Sequence, residues 1–146
     1  MRLAKPAMAA VLMVLGALVA SWESGLVGGD RSAGSASGPS VETLFEAQRS
    51  DVWLELEGRV DRVLSDDNIG SRHQRFIVRM PSGHTVLVAH NIDLAPRVAD
   101  ISPETTVRLY GEYEWNERGG VVHWTHHDPD GDIPGGWIEY RGQRYY

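Results

Sequence analysis

The densest run of side chains able to titrate, ligate or stack is Val121-Val122-His123-Trp124-Thr125-His126-His127-Asp128-Pro129, which holds three of the chain's six histidines. Imidazoles titrate near neutral pH and ligate metals, an indole offers a flat stacking face, and a carboxylate can orient either. If the run is one β-strand, alternation puts Val122, Trp124 and His126 on one face and Val121, His123, Thr125 and His127 on the other. His123 and His127 then stand roughly 13 Å apart, too far to share an ion.

Convergence therefore has to come from a second strand. His90 and Asn91 end an apolar run expected to lie beside this one, which makes His90, His126 and Asp128 the best metal trio the residue types offer. Their spacing matches none of the compact zinc patterns. The reading that carries more weight has these histidines donating to backbone carbonyls or to Asp128 and fixing the loop before Pro129, with no metal assigned and a divalent ion as the only cofactor in question.

General acid/base chemistry has four neutral-range groups to draw on, His73, His90, His123 and His126, with Asp66, Asp67, Asp93 and Glu112 available to orient them. Gly70-Ser71-Arg72-His73 sets a hydroxyl beside a histidine, but strand neighbours point apart and no strand-turn-helix elbow exposes the serine. A nucleophilic hydrolase is therefore disfavoured. No glycine-rich loop leads into a lysine and helix, so nucleotide hydrolysis is not indicated.

Arg72, Arg75 and Arg79, with His73, form the one basic stripe, and Trp115 and Trp124 supply stacking surfaces near it. Arginines beside aromatic rings suit sugars, bases or small anions. The bland alternative is a solvated strand face, since Phe76, Val78 and Met80 alternate with Arg75, Ile77 and Arg79 as core residues would. Acidic residues number 20 against 14 lysines and arginines, of which Arg2 and Lys5 sit at the extreme N-terminus. That balance speaks against nucleic acid, whose binding depends on neutralising phosphates.

The elements that must position these groups are mostly β. Val52, Leu54 and Leu56 alternate with polar residues, and Gly58 permits a bend before Val60 to Leu64. Further strands are expected over 73–80 and 84–90, then over 105–115, hairpinned through Asn116 to Gly120 into 121–127. A crossover around Pro96 separates the third from the fourth, and short segments over 137–140 and 143–146 suggest a small terminal hairpin. Ser40 is placed to cap a helix over 41–49. Five strands in this order, the first long and bent, fit an all-β fold, a small OB-like antiparallel barrel.

Upstream, Arg2 and Lys5 precede the uncharged apolar run from Ala7 to Ala20, the layout of a secretory signal or, if uncut, an N-terminal membrane anchor over 1–21. Residues 22–40 are rich in glycine and serine and read as a flexible linker. The domain is expected over 41–146, periplasmic or secreted, or inner-membrane-anchored where the leader stays. With no cysteine, neither disulfides nor thiolate metal sites are available.

Three strings carry a resemblance: Asp66-Asp-Asn-Ile-Gly-Ser-Arg-His-Gln-Arg-Phe76, Val88-Ala-His-Asn-Ile-Asp-Leu-Ala-Pro-Arg97, and Gly111-Glu-Tyr-Glu-Trp-Asn116 running on to His123-Trp-Thr-His-His-Asp-Pro129 and Gly136-Trp137. Together they resemble the bacterial domain-of-unknown-function family number 3465, small exported proteins. The resemblance implies export and one compact domain, and no reaction. From the residues, the expected function is a binding module whose site draws on Arg72, His73, His90, Asn91, Trp124, His126, His127 and Asp128 and takes a small anionic or sugar-like ligand. The alternatives are a metal-assisted hydrolase of phosphodiesters and a structural envelope protein.

Overall fold

The computed structural model describes residues 38–146; the expected leader and most of the expected linker lie outside the described residues. The chain enters through α1 (Val41–Glu46), where the Ser40 hydroxyl accepts the Thr43 amide as an N-cap. The helix is one turn shorter than its apolar spacing suggests, and Gln48 already has positive φ. Val41 and Leu44 bury against the barrel, and the Phe45 ring rests 4.9 Å from that of His84 and 6.3 Å from that of Trp115.

Seven strands follow: β1 (Val52–Val63), β2 (His73–Arg79), β3 (Thr85–Asn91), β4 (Thr106–Glu114), β5 (Val121–His123), β6 (Trp137–Tyr140) and β7 (Gln143–Tyr145). Their order is β1-β2-β3-β5-β4-β6-β7, and β1 also pairs with β4. The first five strands thereby close into the expected OB-like barrel, with β6 and β7 added outside the ring. The pairing of β3 with β5 is parallel and brief, Leu87 with Val121 and Val88 with Val122.

Closure depends on β1 serving two partners. It pairs with β4 from Val52 to Arg59 and with β2 from Arg59 to Val63. The crossing falls beside Gly58, where an added Cβ would lie 2.6 Å from Val78 Cγ1 and 2.8 Å from the Arg79 carbonyl oxygen. The strand bends there because only glycine lets β2 come that close. Leu54, Leu56, Val60, Phe76, Val78, Val86, Val88, Val107, Leu109, Tyr113, Val122 and Ile138 fill the interior, following the period-two pattern of their strands.

The segment between β3 and β4 forms turns and extended chain without a helix, and it lies across one end of the barrel. Its buried backbone is satisfied by side chains that point inward from adjacent strands. Gln74 grips Val98 from both sides: its Nε2 donates to the Val98 carbonyl at 3.0 Å and its Oε1 accepts the Val98 amide at 2.9 Å. His90, the cross-strand partner of Gln74, donates Nε2–H to the Pro96 carbonyl at 2.9 Å. From the terminal hairpin, Tyr140 Oη lies 3.2 Å from the Asp100 carbonyl oxygen and Tyr145 Oη accepts the Ala99 amide.

A buried amide group left unpaired costs about 1–3 kcal/mol. Gln74→Met keeps the volume and orphans both Val98 groups, so it is expected to destabilise the domain by about 2–4 kcal/mol, read as a lower urea midpoint at unchanged m-value. A midpoint equal to wild type would show that Gln74 does not hold the connector.

Candidate functional site

The run from His123 to Asp128 is not a continuous strand. β5 ends at His123, because Trp124 takes φ 53°, the left-handed region that a bulky side chain occupies only at a cost of order 1–3 kcal/mol. The expected alternation of Val122, Trp124 and His126 is thereby broken. Three contacts hold the turn. Thr125 buries its hydroxyl 2.8 Å from His90 Nδ1, the Gly136 amide donates to the His126 carbonyl at 2.8 Å, and Gly136 packs so tightly that a Cβ there would lie 1.9 Å from the Trp124 carbonyl oxygen.

The histidines differ in what they leave free. His90 is fully buried, and both of its ring nitrogens are engaged. The Pro96 carbonyl can only accept, so Nε2 carries the proton and Nδ1 accepts from Thr125. Burial pushes its pKa down, which keeps the ring neutral. His90 therefore positions the Trp124 turn and presents nothing to a ligand.

His126 is also 3% exposed, and its Nδ1–H donates to the His127 carbonyl at 2.7 Å. His73, half-buried at the start of β2 opposite Asn91, likewise donates Nδ1–H to a carbonyl, that of Ser71 at 2.8 Å. Each ring thus carries a proton on Nδ1, and its Nε2 has no hydrogen-bond partner among the described residues. Burial first, then charge on His127 and His73, lowers the pKa of His126. The Trp124 ring sits 5.2 Å from that of His126, tilted by 36°.

The expected metal trio of His90, His126 and Asp128 does not assemble. Asp128 spends its carboxylate on the following loop, with Oδ1 accepting the Asp130 amide and Oδ2 those of Asp132 and Ile133. Those amides hold its pKa below the usual carboxylate range. Arg72 is clamped by Asp93, which accepts both its backbone amide and its Nε at 2.8 Å. Asn91 Oδ1 accepts the Asp93 amide, a local turn bond, while His127 is exposed and lines a groove of about 270 Å³ with Gly135, Gly136, Trp137, Arg144 and Tyr146.

The rest of the basic stripe is tied down as well. Arg75 donates to the Ser65 carbonyl, and Arg79 pairs with Asp61. Trp115 stacks on Phe45, so its ring packs α1. A second aromatic row on the outer face, Trp53, Tyr110 and Trp137, has its end ring covered by Arg144 at 4.1 Å and Arg108 at 5.5 Å.

Among the described residues, one set of three side chains converges as metal ligands do: Glu112, Glu114 and His123, whose donor atoms lie within 4.8 Å of one another. The antiparallel register sets His123 opposite Glu112 and Val121 opposite Glu114, all outward-facing. The sequence sets His123 only on the face opposite Val122, and Glu112 enters there only as a partner for some histidine. The pairing follows from a six-residue connection, Trp115 to Gly120, which sets Glu112 opposite His123; a loop of Asn116 to Gly120 alone would set Tyr113 there, one residue out of register.

With this geometry in place, comparison with known proteins decides the family. The model for DUF3465, a protein of unknown function, matches residues 29–146. The chain belongs to this family. No curated protein matches the chain. The DUF3465 match spans the whole barrel, the Trp124 turn and the terminal hairpin.

Neutral, buried His90 and His126 set a pH dependence. Their folded pKa values lie below the unfolded value of 6.5, so the unfolded chain binds more protons between the two and stability falls with pH there. The thermal midpoint is expected to drop between about pH 7 and pH 5, before Asp93 and Asp128 protonate, and His90→Gln should flatten that slope. A wild-type midpoint constant over this window would refute the assignment.

Proposed function

We propose that this DUF3465 chain is a binding module for a neutral, hydroxylated, sugar-like ligand, taken up where His73, Trp124 and His126 meet at the rim of the barrel. The observation that carries the reading is the pair of imidazoles, each pinned through Nδ1–H to a backbone carbonyl and each with an Nε2 that has no hydrogen-bond partner among the described residues. A lone pair accepts from a ligand hydroxyl and repels an anion. The clamp of Asp93 on Arg72 removes the nearest free cation, so a sugar-like ligand fits this chemistry better than an anionic one.

Trp124 supports the same reading. Its ring lies against His126, and its left-handed backbone is maintained by Thr125, His90 and Gly136, the kind of strain that persists where a side chain must be aimed. A flat apolar ring beside a fixed acceptor is how a sugar's CH face and hydroxyl are held at once. The charged-then-apolar layout of residues 1–21 supports delivery to the periplasm or beyond, where such ligands are met.

Intrinsic Trp fluorescence and amide chemical shifts, titrated with a panel of soluble oligosaccharides, test the reading. At least one member is expected to shift the resonances of Thr125 and His126 with saturation. Trp124→Ala and His126→Gln should each weaken it about tenfold or more, which is about 1.4 kcal/mol. Saturable binding unaffected by both substitutions, or none across the panel, would leave the turn with a structural role and refute the proposal.

A further inference from the structure

We propose that Glu112, Glu114 and His123 form a divalent-cation site on the outer face of the barrel, taking a first-row ion such as Zn²⁺. Nothing in the sugar-like reading requires it, and Trp124 lies between the two places, its ring 6.4 Å from that of His123 and 5.2 Å from that of His126.

The distances are the argument. His123 Nε2 is 3.5 Å from Glu112 Oε2 and 3.4 Å from Glu114 Oε1. A charge-assisted N–H···O bond would close to about 2.7–2.9 Å, and neither contact satisfies hydrogen-bond geometry. Donor atoms about 2.1 Å from a tetrahedral ion, by contrast, are separated by about 3.4 Å. Two of the three separations thus match the edge of a coordination tetrahedron, and the third lies within 4.8 Å.

An independent observation concerns the nitrogen alone. His123 Nε2 exposes less than 1 Å² and has no hydrogen-bond partner. A buried imidazole nitrogen costs free energy unless something pairs with it, and here only the two carboxylates face it. An ion among the three would satisfy the nitrogen and neutralise two glutamates of an already acidic chain.

The scaffold suits the task. Glu112 and Glu114 are two apart on β4, and His123 ends β5 opposite Glu112, so all three side chains rise from paired strands. The side chain of Glu114 is 46% exposed, so ligand positions on its side open to water. One imidazole and two carboxylates suit Zn²⁺, Co²⁺ or Mn²⁺ over thiolate-seeking ions.

The test uses untagged full-length protein stripped with EDTA and titrated calorimetrically with ZnCl₂. About one equivalent should bind with a dissociation constant of about 10 μM or tighter. Glu112→Gln and Glu114→Gln, which preserve shape, should each weaken it about tenfold or more, and His123→Ala should abolish it. His126→Ala should leave it unchanged, and Zn²⁺ should move the ¹⁵N resonance of His123 Nε2 in the wild type. Binding weaker than about 1 mM, binding indifferent to both glutamine variants, or binding lost in His126→Ala but kept in His123→Ala would each overturn the proposal.

Discussion

A small β-barrel must close its ends with chain whose backbone amides and carbonyls are cut off from water, and each of those groups needs a partner. In this protein the partners are Gln74 and His90, side by side on β2 and β3, which face inward and hold Val98 and Pro96 of the connector. Apolar residues at these positions would bury as much surface and leave the connector unsatisfied. The same His90 ring reaches Thr125 with its other nitrogen, so the closure of the barrel end and the conformation after β5 are set by one imidazole.

That shared imidazole explains why the histidine-rich run behaves as a turn. Once Thr125 is drawn inward to His90 and the His126 carbonyl is taken by the Gly136 amide, Trp124 has to turn through the left-handed region. The chain leaves β5 after three residues, and β6 takes over the remainder of β4 from Val107 to Tyr110. The strain at Trp124 is therefore held by contacts that join three segments: the turn itself, β3 and the stretch before β6.

Much of the barrel was legible in the residue pattern. Alternation over β1, β2, β3 and β4, the bend at Gly58, the hairpin at Asn116 to Gly120 and the serine cap of α1 all rest on local chemistry that a single segment carries. The site was less legible. Val121 to His127 alternates as well as any true strand, and what ends it at His123 is a bond to a residue 35 positions earlier. His90 and Asp128 look like ligands by type, yet the buried connector and the amides of residues 130–133 claim their polar atoms. The pairing of Glu112 and Glu114 with His123 depends on register, which residue types alone do not express.

The terminal hairpin has a consequence for how copies of this chain meet. Beyond the closed ring, the sheet's open margin among the described residues is β7, three residues long, with Arg144 bridged to Glu139 beside it. Amyloid-like stacking and strand exchange need a longer unguarded backbone than that. A short, bridged edge of this kind leaves little backbone for a second copy to pair with.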